Sequence, residues 1–188
     1  MSAAPSQTKP ITPQTRIECI LKPLSGGDMN DLCDACDLAI KAGGGFGWVK
    51  LPAREKMQRY WEGLIAVPNR VLFVSRLDDV IAGAAVLICP PVNNEAQAHA
   101  VTLTGNFVAP WARGHGLSRE MLETIENFSR DEGFKVINLE VDEDLPAAIN
   151  LYETSGYIKT GTHPYATFRN GKYIQAHSYT KLLDIQRL

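Results

Sequence analysis

The sequence predicts an α/β fold in which a mixed β-sheet carries helices on both faces. Three observations predict it. First, segments with apolar runs or apolar alternation, typical of strands, are interspersed with segments whose apolar residues recur at helical spacing. Second, three strand segments in the middle of the chain follow one another closely, as hairpins do. Third, the full order of elements is βααβββαβαββ, and a strand that follows a helical crossover returns parallel to its neighbour. Hairpins and a crossover in one chain indicate a mixed sheet.

Length and composition fit one ordinary globular domain. The chain has 188 residues, of which 45% are hydrophobic and 21% are charged, so it can bury a core of its own. A formal net charge of -2 gives no electrostatic footprint for nucleic acid or for an acidic membrane. The longest apolar run is too short to cross a bilayer. We therefore expect neither a nucleic-acid nor a membrane partner.

The N-terminal region predicts a tail, a strand, a helix and a glycine-rich loop. Residues 1–15 hold three prolines and lack an apolar period, so we expect a disordered tail there and a single domain over 16–188. The strand is predicted over 17–22 and the helix from a cap at Asp28 to about residue 41. The loop 43–48 carries Phe46 and Trp48, which either cover a ligand or pack into the core.

The middle of the chain predicts one helix and three strands. The helix follows from an apolar stripe that Pro68 interrupts, and the strands from apolar runs between turn residues. The predicted bounds are 53–66 for the helix, 70–75, 80–88 and 99–108 for the strands, and 77–79 for a hairpin. Gly105, near the end of the third strand, indicates a bulge or the close approach of another backbone.

The C-terminal region predicts two helices and three strands. Gly133 and Gly156 each follow a segment of helical periodicity and are expected to end the helices. The predicted helices begin near Leu117 and Pro146, and the predicted strands cover 135–142, 157–162 and 172–182. A loop is expected at 163–165 and a turn at 169–171.

The four cysteines do not form a disulfide framework. Cys33 and Cys36 are close enough for redox or metal chemistry, but they lie within a helical pattern and no second close pair completes a zinc site. We interpret them as small buried helical residues. Reduced thiols indicate a cytoplasmic location.

The chain is organised around a strand, a short loop and a helix between residues 106 and 122. The loop contains Arg113, Gly114, His115 and Gly116, and the helix starts near Leu117. A glycine-containing loop that leads into a helix presents unpaired backbone N–H groups and the positive end of the helix dipole, which together bind an anion such as a pyrophosphate. Many α/β turns use glycine for geometry alone, so the loop by itself leaves a structural role open.

Two motifs together resemble the GCN5-related N-acetyltransferase (GNAT) superfamily. Arg113-Gly-His-Gly-Leu-Ser118 is similar to the superfamily's coenzyme A loop, Arg/Gln-x-x-Gly-x-Gly/Ala, with Ser118 where glycine or alanine is usual. Residues 150–157 are similar to its Asn-x-Tyr-x-x-x-Gly-Phe/Tyr segment. The resemblance extends from about residue 17 to residue 183. It implies a GNAT-like fold with a twisted, mostly antiparallel sheet that is splayed in the middle.

The resemblance implies acetyl-coenzyme A as the co-substrate and no metal. Five main-chain N–H groups would bind the pyrophosphate, those of Gly114, His115, Gly116, Leu117 and Ser118. Arg113 would add charge at the rim, unless it is a solvated loop arginine. The splay would leave main-chain groups near Phe107 and Val108 for the pantetheine and for the thioester carbonyl. Asn150 would position the pantetheine or cap a backbone group.

The resemblance also implies a general acid, Tyr152, for the departing thiolate. A tyrosine on an amphipathic stripe that only packs is the alternative. Some members of the superfamily place a catalytic carboxylate on the strand before the loop, but this strand offers Thr102 and Thr104 instead. Glu140, on the next strand, is therefore our candidate base, directly or through water, and an ordinary surface glutamate is the other interpretation. His99 and Glu95 are weaker candidates.

The C-terminal residues resemble phosphinothricin and tabtoxin-resistance acetyltransferases more loosely, through residues 156–161, Pro164-Tyr165, Asn170-Gly171 and residues 179–182. This implies an amino-acid-like or antibiotic-like amine acceptor, which Phe46, Trp48 and Tyr165 would contact. We predict an N-acetyltransferase that acts by direct attack in a ternary complex. The alternatives are a non-catalytic acyl-coenzyme A-binding module and, within the class, a protein or peptide N-acetyltransferase. A homodimer is common in such enzymes.

Overall fold

The computed structural model describes residues 12–44 and 47–183, and within them seven strands form one sheet flanked by four α-helices. The elements follow the predicted order. Their bounds are β1 Thr15–Ile20, α1 Gly26–Lys41, α2 Arg54–Ile65, β2 Arg70–Leu77, β3 Val80–Ile88, β4 Ala100–Val108, α3 Leu117–Asp131, β5 Val136–Asp142, α4 Pro146–Thr154, β6 Ile158–Arg169 and β7 Lys172–Leu182. Short 3-10 turns lie at Glu95–Gln97 and Pro110–Ala112.

The sheet is mixed, as predicted. Its strand order is β1-β2-β3-β4-β5-β7-β6, and β4 and β5 are its parallel neighbours while the other neighbours are antiparallel. The parallel register covers four pairs, from Ala100–Val136 to Leu103–Leu139. Strand β4 continues past that register to Val108. The sheet therefore opens in its middle, at the edge where the loop before α3 begins.

Gly105 forms the bulge that the sequence predicts. The register between β3 and β4 shifts between the pairs Ala84–Phe107 and Val86–Thr104, and Gly105 lies inside the shift with φ +61°. A positive φ is strained for residues with a Cβ. The bulge re-aims the last residues of β4 toward the opening in the sheet.

Helices pack on both faces, each over its own core. Helices α1 and α2 bury residues such as Leu32 and Trp61 on one face, against Val74 and Val86 of the sheet. Helix α3 packs on the other face, through Met121, Leu122, Ile125 and their neighbours. Cys33 and Cys36 are fully buried in α1, as predicted, and burial raises the pKa of Cys36 to about 12. Such thiols stay protonated and unreactive at neutral pH.

Two predicted details are wrong. Helix α1 begins at Gly26, and Ser25 rather than Asp28 is its cap: the Ser25 hydroxyl accepts a hydrogen bond from the Asp28 N–H (3.1 Å) and donates one to the Asp28 carboxylate (3.0 Å). Glycines at the first two helical positions hid this turn from the periodicity.

The second error is at residues 163–165, which belong to β6 rather than to a loop. The turn at Asn170 and Gly171, both with positive φ, is tight enough to pair β6 and β7 from Arg169–Lys172 to Ile158–Thr180. A register shift between His163 and Thr167 accommodates Pro164, because an edge strand tolerates a residue that donates no hydrogen bond.

The ends of the chain lie partly outside the described residues. This covers positions 1–11 of the predicted tail, and β1 begins at Thr15, one residue before the predicted domain start. Over the ranges given above, no helix combines the length and the apolar character that crossing a membrane requires.

Candidate active site

A cleft opens where β4 separates from β5. Its volume is about 740 Å³, within the usual range of ligand sites, roughly 300–1,000 Å³. The end of β4, the loop before α3, the first turn of α3 and most of α4 form its walls. Phe107, Val108 and Asn150 line it, as do the loop residues predicted to bind the donor apart from His115, which is exposed beside it.

The floor of the cleft is rich in backbone N–H donors. Gly114 and Gly116 have φ of +86° and +81°, a conformation that favours glycine. The Arg113 N–H donates to the Pro110 carbonyl, and the N–H groups of Arg119 and Glu120 donate to the Gly116 carbonyl. Five N–H groups of this segment donate to no acceptor within the described chain: those of Gly114, His115, Gly116, Leu117 and Ser118. Donors that converge at a helix start suit a phosphate or pyrophosphate.

The charges around this floor favour an anion. Arg113 and Arg119 line the cleft. The Arg113 Nε donates to the Val108 carbonyl at 3.4 Å, and the Arg119 guanidinium donates to the Thr154 hydroxyl at 3.1 Å, which links the start of α3 to the end of α4. The positive end of the α3 dipole adds to both. Asp144 is the opposing charge on the lining, and Arg169 pairs with it at 2.6 Å.

The end of β4 turns main-chain groups toward the cleft. Phe107 pairs with Ala84 of β3 and Val108 with Gly83, and the next N–H, that of Ala109, donates to the Ala82 carbonyl at 2.7 Å. Because bonded and non-bonded pairs alternate in an antiparallel ladder, the N–H and C=O of Val108 point away from β3. They face the opening, where the C=O already accepts the hydrogen bond from Arg113 Nε.

A second, smaller cavity of about 220 Å³ lies on the other side of the same opening. Its lining includes Thr104, Gly105, Glu140 and Asp142. Four residues line both cavities, Asn106, Leu145, Ala148 and Tyr152. A group held between the cavities therefore reaches a molecule in either one.

Tyr152 is the titratable side chain at this junction. It is 5% exposed, and its hydroxyl oxygen accepts a hydrogen bond from Asn106 Nδ2 at 3.3 Å. Among the described residues none accepts a hydrogen bond from that hydroxyl, so its proton is available to a ligand. Burial raises the pKa of Tyr152, and the hydrogen bond from Asn106 opposes that rise. The phenol is thus neutral and able to donate at physiological pH.

Asn106 is a site residue that sequence reasoning missed. It lies on the bulge beside Gly105 and touches both cavities. Its Oδ1 is buried and has no hydrogen-bond partner within the described residues, so it offers an acceptor to a ligand. Gly105 was the available signal, since a bulge near a strand end often re-aims a functional side chain.

Glu140 lines the smaller cavity and is about half exposed. Its carboxylate accepts a hydrogen bond from the Ser178 hydroxyl at 3.2 Å and lies 3.3 Å from His163 Nδ1. Asp142 lines the same cavity from two residues along β5, nearly buried, and accepts a hydrogen bond from the Thr167 hydroxyl at 2.9 Å. In the sequence, Asp142 is the last residue of the predicted strand 135–142, and sequence reasoning gave it no role in the site.

The predicted aromatic contacts lie elsewhere or outside the described residues. Trp48 packs edge-on against Tyr60 of α2, at 5.8 Å between ring centroids, with Lys56 over its ring. Tyr165 is 75% exposed on β6 and packs against Tyr173. Phe46 lies outside the described residues, while Gly47 beside it lines the smaller cavity. His99 and Glu95 line neither cavity.

Taken together, the geometry can bind an anion, hold a carbonyl-bearing arm along β4, and donate a proton where two cavities meet. No cluster of three or more metal-binding side chains occurs in the described part of the chain.

Comparison with known proteins shows similarity to acetyltransferases. The profile of the family described as acetyltransferase (GNAT) matches residues 43–157. An uncharacterized N-acetyltransferase from the hisH-hisA intergenic region of Azospirillum brasilense is 62% identical over 120 residues, which cover 64% of this chain and 71% of that protein.

Solved structures share the fold. A Salmonella typhimurium protein named an acetyltransferase and solved with its cofactor acetyl-CoA superposes with a TM-score of 0.72 at 17% identity, covering 93% of this chain and 96% of the other. A structure named as a phosphinothricin N-acetyltransferase superposes with a TM-score of 0.72 at 14% identity, covering 90% of this chain and 99% of the other.

Proposed function

The chain belongs to the acetyltransferase (GNAT) family, and on that premise we propose that it transfers an acetyl group from acetyl-coenzyme A to a small primary amine by direct attack in a ternary complex. The observation that carries the proposal is the position of Tyr152. Tyr152 lines both the cleft rich in N–H donors and the smaller cavity, and its hydroxyl is bonded to Asn106, which also lines both. It can therefore reach a donor in one and an acceptor in the other.

The larger cleft is the proposed donor site. The N–H groups of residues 114–118 would hold the pyrophosphate, with Arg113 and Arg119 adding positive charge. The N–H of Val108 would pair with the pantetheine arm or position the thioester carbonyl, since it faces the opening while the Val108 C=O accepts from Arg113. Asn150, on the α4 wall, would contact the same arm. Bound there, acetyl-coenzyme A supplies an activated acetyl thioester.

Tyr152 would donate its hydroxyl proton to the sulfur that leaves. An ordinary thiol with a pKa near 8.5 and a phenol near 10 differ by about 1.5 units, or roughly 2 kcal/mol uphill. Burial raises the pKa of Tyr152 further, but the same dry surroundings also destabilise the thiolate. The transfer therefore stays modestly uphill, a cost that the close placement of the two groups in the ternary complex can offset.

Glu140 is the proposed base. An amine must lose its proton to attack, which costs about 1.4 kcal/mol at pH 7 for an amine with a pKa near 8 and about 4.6 kcal/mol for one near 10.4. Glu140 faces the cavity where the amine would enter, and it would take the proton directly or through water. His163 beside it, at 3.3 Å, offers a path onward to solvent.

The Tyr152→Phe variant tests the proposal. Removal of one hydroxyl should lower kcat about 10²-fold or more, while the dissociation constant for acetyl-coenzyme A should stay within about twofold. Coenzyme A release and calorimetry measure the two quantities. Tyr165→Phe is the matched control, because Tyr165 is an exposed tyrosine that lines neither cavity.

Two other outcomes would contradict it. If Tyr152→Phe turns over like the wild type, Tyr152 is not the acid. If the wild type binds acetyl-coenzyme A tightly but releases no coenzyme A with any amine, the chain is a non-catalytic acyl-coenzyme A-binding module.

A further inference from the structure

The smaller cavity carries an excess of negative charge. Of the described residues that line it, two carry carboxyl groups, Glu140 and Asp142, and none is a lysine, arginine or histidine. The remaining lining residues are small, apolar or hydroxyl- and amide-bearing, apart from the Tyr152 phenol. A solute that enters this cavity therefore meets carboxylates and uncharged groups.

The guanidinium of Arg169, beside the cavity, is already paired with carboxylates. Arg169 lies 3.8 Å from the Asp142 carboxylate and 2.6 Å from that of Asp144, with its side chain 15% exposed. It also donates a hydrogen bond to the Gly43 carbonyl at 3.5 Å. Arg169 does not itself line the cavity, and the carboxylates of Asp142 and Asp144 already hold it, so it is poorly placed to pair with a ligand carboxylate. His163 lies against Glu140 at 3.3 Å.

An uncharged acceptor reinforces the same preference. The Asn106 Oδ1 is buried and without a hydrogen-bond partner in the described chain, on a residue that lines the cavity. An ammonium group has three N–H donors and no acceptor. Asn106, Glu140 and Asp142 together therefore offer acceptors to a cationic amine. They offer no partner to a carboxylate of the ligand.

We infer that the acceptor is a small amine that enters as a cation and carries no carboxylate beside the reacting nitrogen. This inference rests on the proposed function and narrows its acceptor class. A carboxylate next to Glu140 and Asp142 would suffer like-charge repulsion that nothing in the described lining offsets. The volume of about 220 Å³ corresponds to roughly seven water molecules at about 30 Å³ each, which fits a short alkyl or imidazolyl amine.

Matched pairs of acceptors test the inference, because each pair differs by one carboxylate. Histamine against histidine and agmatine against arginine are such pairs. We expect kcat/KM for the amine to exceed that for its amino acid by at least about tenfold. Coenzyme A release measures the rates, and calorimetry on the coenzyme A-loaded protein measures amine binding without turnover.

Variants that remove one negative charge test whether the cavity causes the preference for amines over amino acids. Glu140→Gln and Asp142→Asn should each weaken amine binding several-fold and shrink the ratio within a pair, with the affinity for acetyl-coenzyme A unchanged. Glu140→Gln is informative even if Asp142→Asn folds poorly, because Glu140 is half exposed. Glu143→Gln is the control, since Glu143 is an exposed acid of the same region that lines neither cavity.

The possible failures differ. Amino acids that react as fast as their amines, or faster, would overturn the inference and leave the proposed function intact. A preference for amines that Glu140→Gln and Asp142→Asn do not reduce would also overturn it. Acetyl-coenzyme A binding without turnover on any amine would refute the proposed function, and the inference with it.

Discussion

At the scale of single residues, the proposed chemistry depends on the hydrogen bond between Asn106 and Tyr152. Asn106 Nδ2 donates to the phenol oxygen at 3.3 Å, so the phenol proton points elsewhere and stays available. A hydrogen bond donated to that oxygen also stabilises the phenolate, which opposes the effect of burial on the pKa. Asn106 therefore has two effects on Tyr152, orientation and acidity.

Asn106→Ala should reduce turnover without removing it. Without the donor, the pKa of Tyr152 rises further, so the phenol becomes a weaker acid and the alkaline decline of kcat moves to higher pH. We expect kcat at pH 7 to fall about fivefold, as the loss of one hydrogen bond of about 1 kcal/mol implies. The kcat–pH profile measures both effects.

Thr102→Ala is the control, since Thr102 is an exposed residue of the same strand that lines neither cavity. A profile for Asn106→Ala that coincides with that of Thr102→Ala would mean that Asn106 does not influence the acid.

At the scale of elements, the site depends on how two strands and one helix start are held. Strand β4 leaves β5 after four pairs and is bulged at Gly105. Helix α3 is preceded by Gly116, which has a positive φ and no side chain to cap the helix, so the first N–H groups of the helix face the cleft. Its amphipathic pattern keeps the opposite face buried on the sheet. The fold and the proposed anion site therefore depend on different parts of the same helix.

Gly116→Val should abolish measurable binding of acetyl-coenzyme A. Position 116 has φ +81°, which a β-branched residue tolerates badly, and any shift moves the N–H groups that follow. Gly133→Val is a close control: Gly133 has φ +84°, lies just past the other end of α3, and its added Cβ would also meet nothing within 4 Å. Calorimetry should show wild-type affinity for Gly133→Val. An unchanged affinity of Gly116→Val for acetyl-coenzyme A would show that this loop does not bind the pyrophosphate.

Gly83→Ala tests the strand rather than the helix. A Cβ at position 83 would lie 2.3 Å from the Phe107 carbonyl oxygen and 2.8 Å from the Ser75 hydroxyl, so β4 would have to move. We expect a loss of about 1–3 kcal/mol in the free energy of unfolding, as in overpacked cores, together with reduced turnover. Urea denaturation measures the first quantity. An alanine variant with full stability and activity would show that the position of β4 is not constrained by β3.

At the scale of the whole molecule, the sequence predicted the architecture because local signals agreed. The order of elements, both faces of the sheet and the bulge at Gly105 follow from periodicity and glycine placement. Errors arose where local signals were weak. Two glycines concealed the first turn of α1, and Pro164 suggested a loop although an edge strand accommodates it.

The candidate site was predictable in part. The loop from Arg113 to Ser118 and the position of Tyr152 lie within motifs, so the sequence could name them. The roles suggested for Asn106 and Asp142 depend on long-range packing that brings β4, β5 and α4 together, and no local pattern encodes it. For Trp48 the sequence left open whether the side chain covers a ligand or packs into the core. Its contact with Tyr60 of α2 became clear only from the folded structure.

Elsewhere in the fold, a partly buried cluster of one arginine and two carboxylates predicts acid sensitivity. Arg76 of β2 donates to Asp28 of α1 at 2.7 Å and to Glu18 of β1 at 2.8 Å. The hydrogen bond from Arg76 holds the pKa of Asp28 below its usual value. A lowered pKa stabilises the fold above the unfolded pKa, near 3.9, and that contribution is lost as the pH falls through the folded pKa.

Asp28→Asn should therefore lower the free energy of unfolding at pH 7 by about 1–2 kcal/mol and flatten its decline below pH 4. Denaturation at a series of pH values measures this. Asp31→Asn, on the same helix and without an ion pair among the described residues, should behave like the wild type. Equal acid sensitivity in all three proteins would mean that Asp28 does not contribute.

A crystal structure of the protein with acetyl-coenzyme A tests the central claim most directly. We predict the pyrophosphate within about 3.2 Å of main-chain nitrogens between Gly114 and Ser118, and the thioester sulfur within hydrogen-bonding reach of the Tyr152 hydroxyl. A diphosphate bound elsewhere, or a Tyr152 hydroxyl directed away from the sulfur, would contradict it.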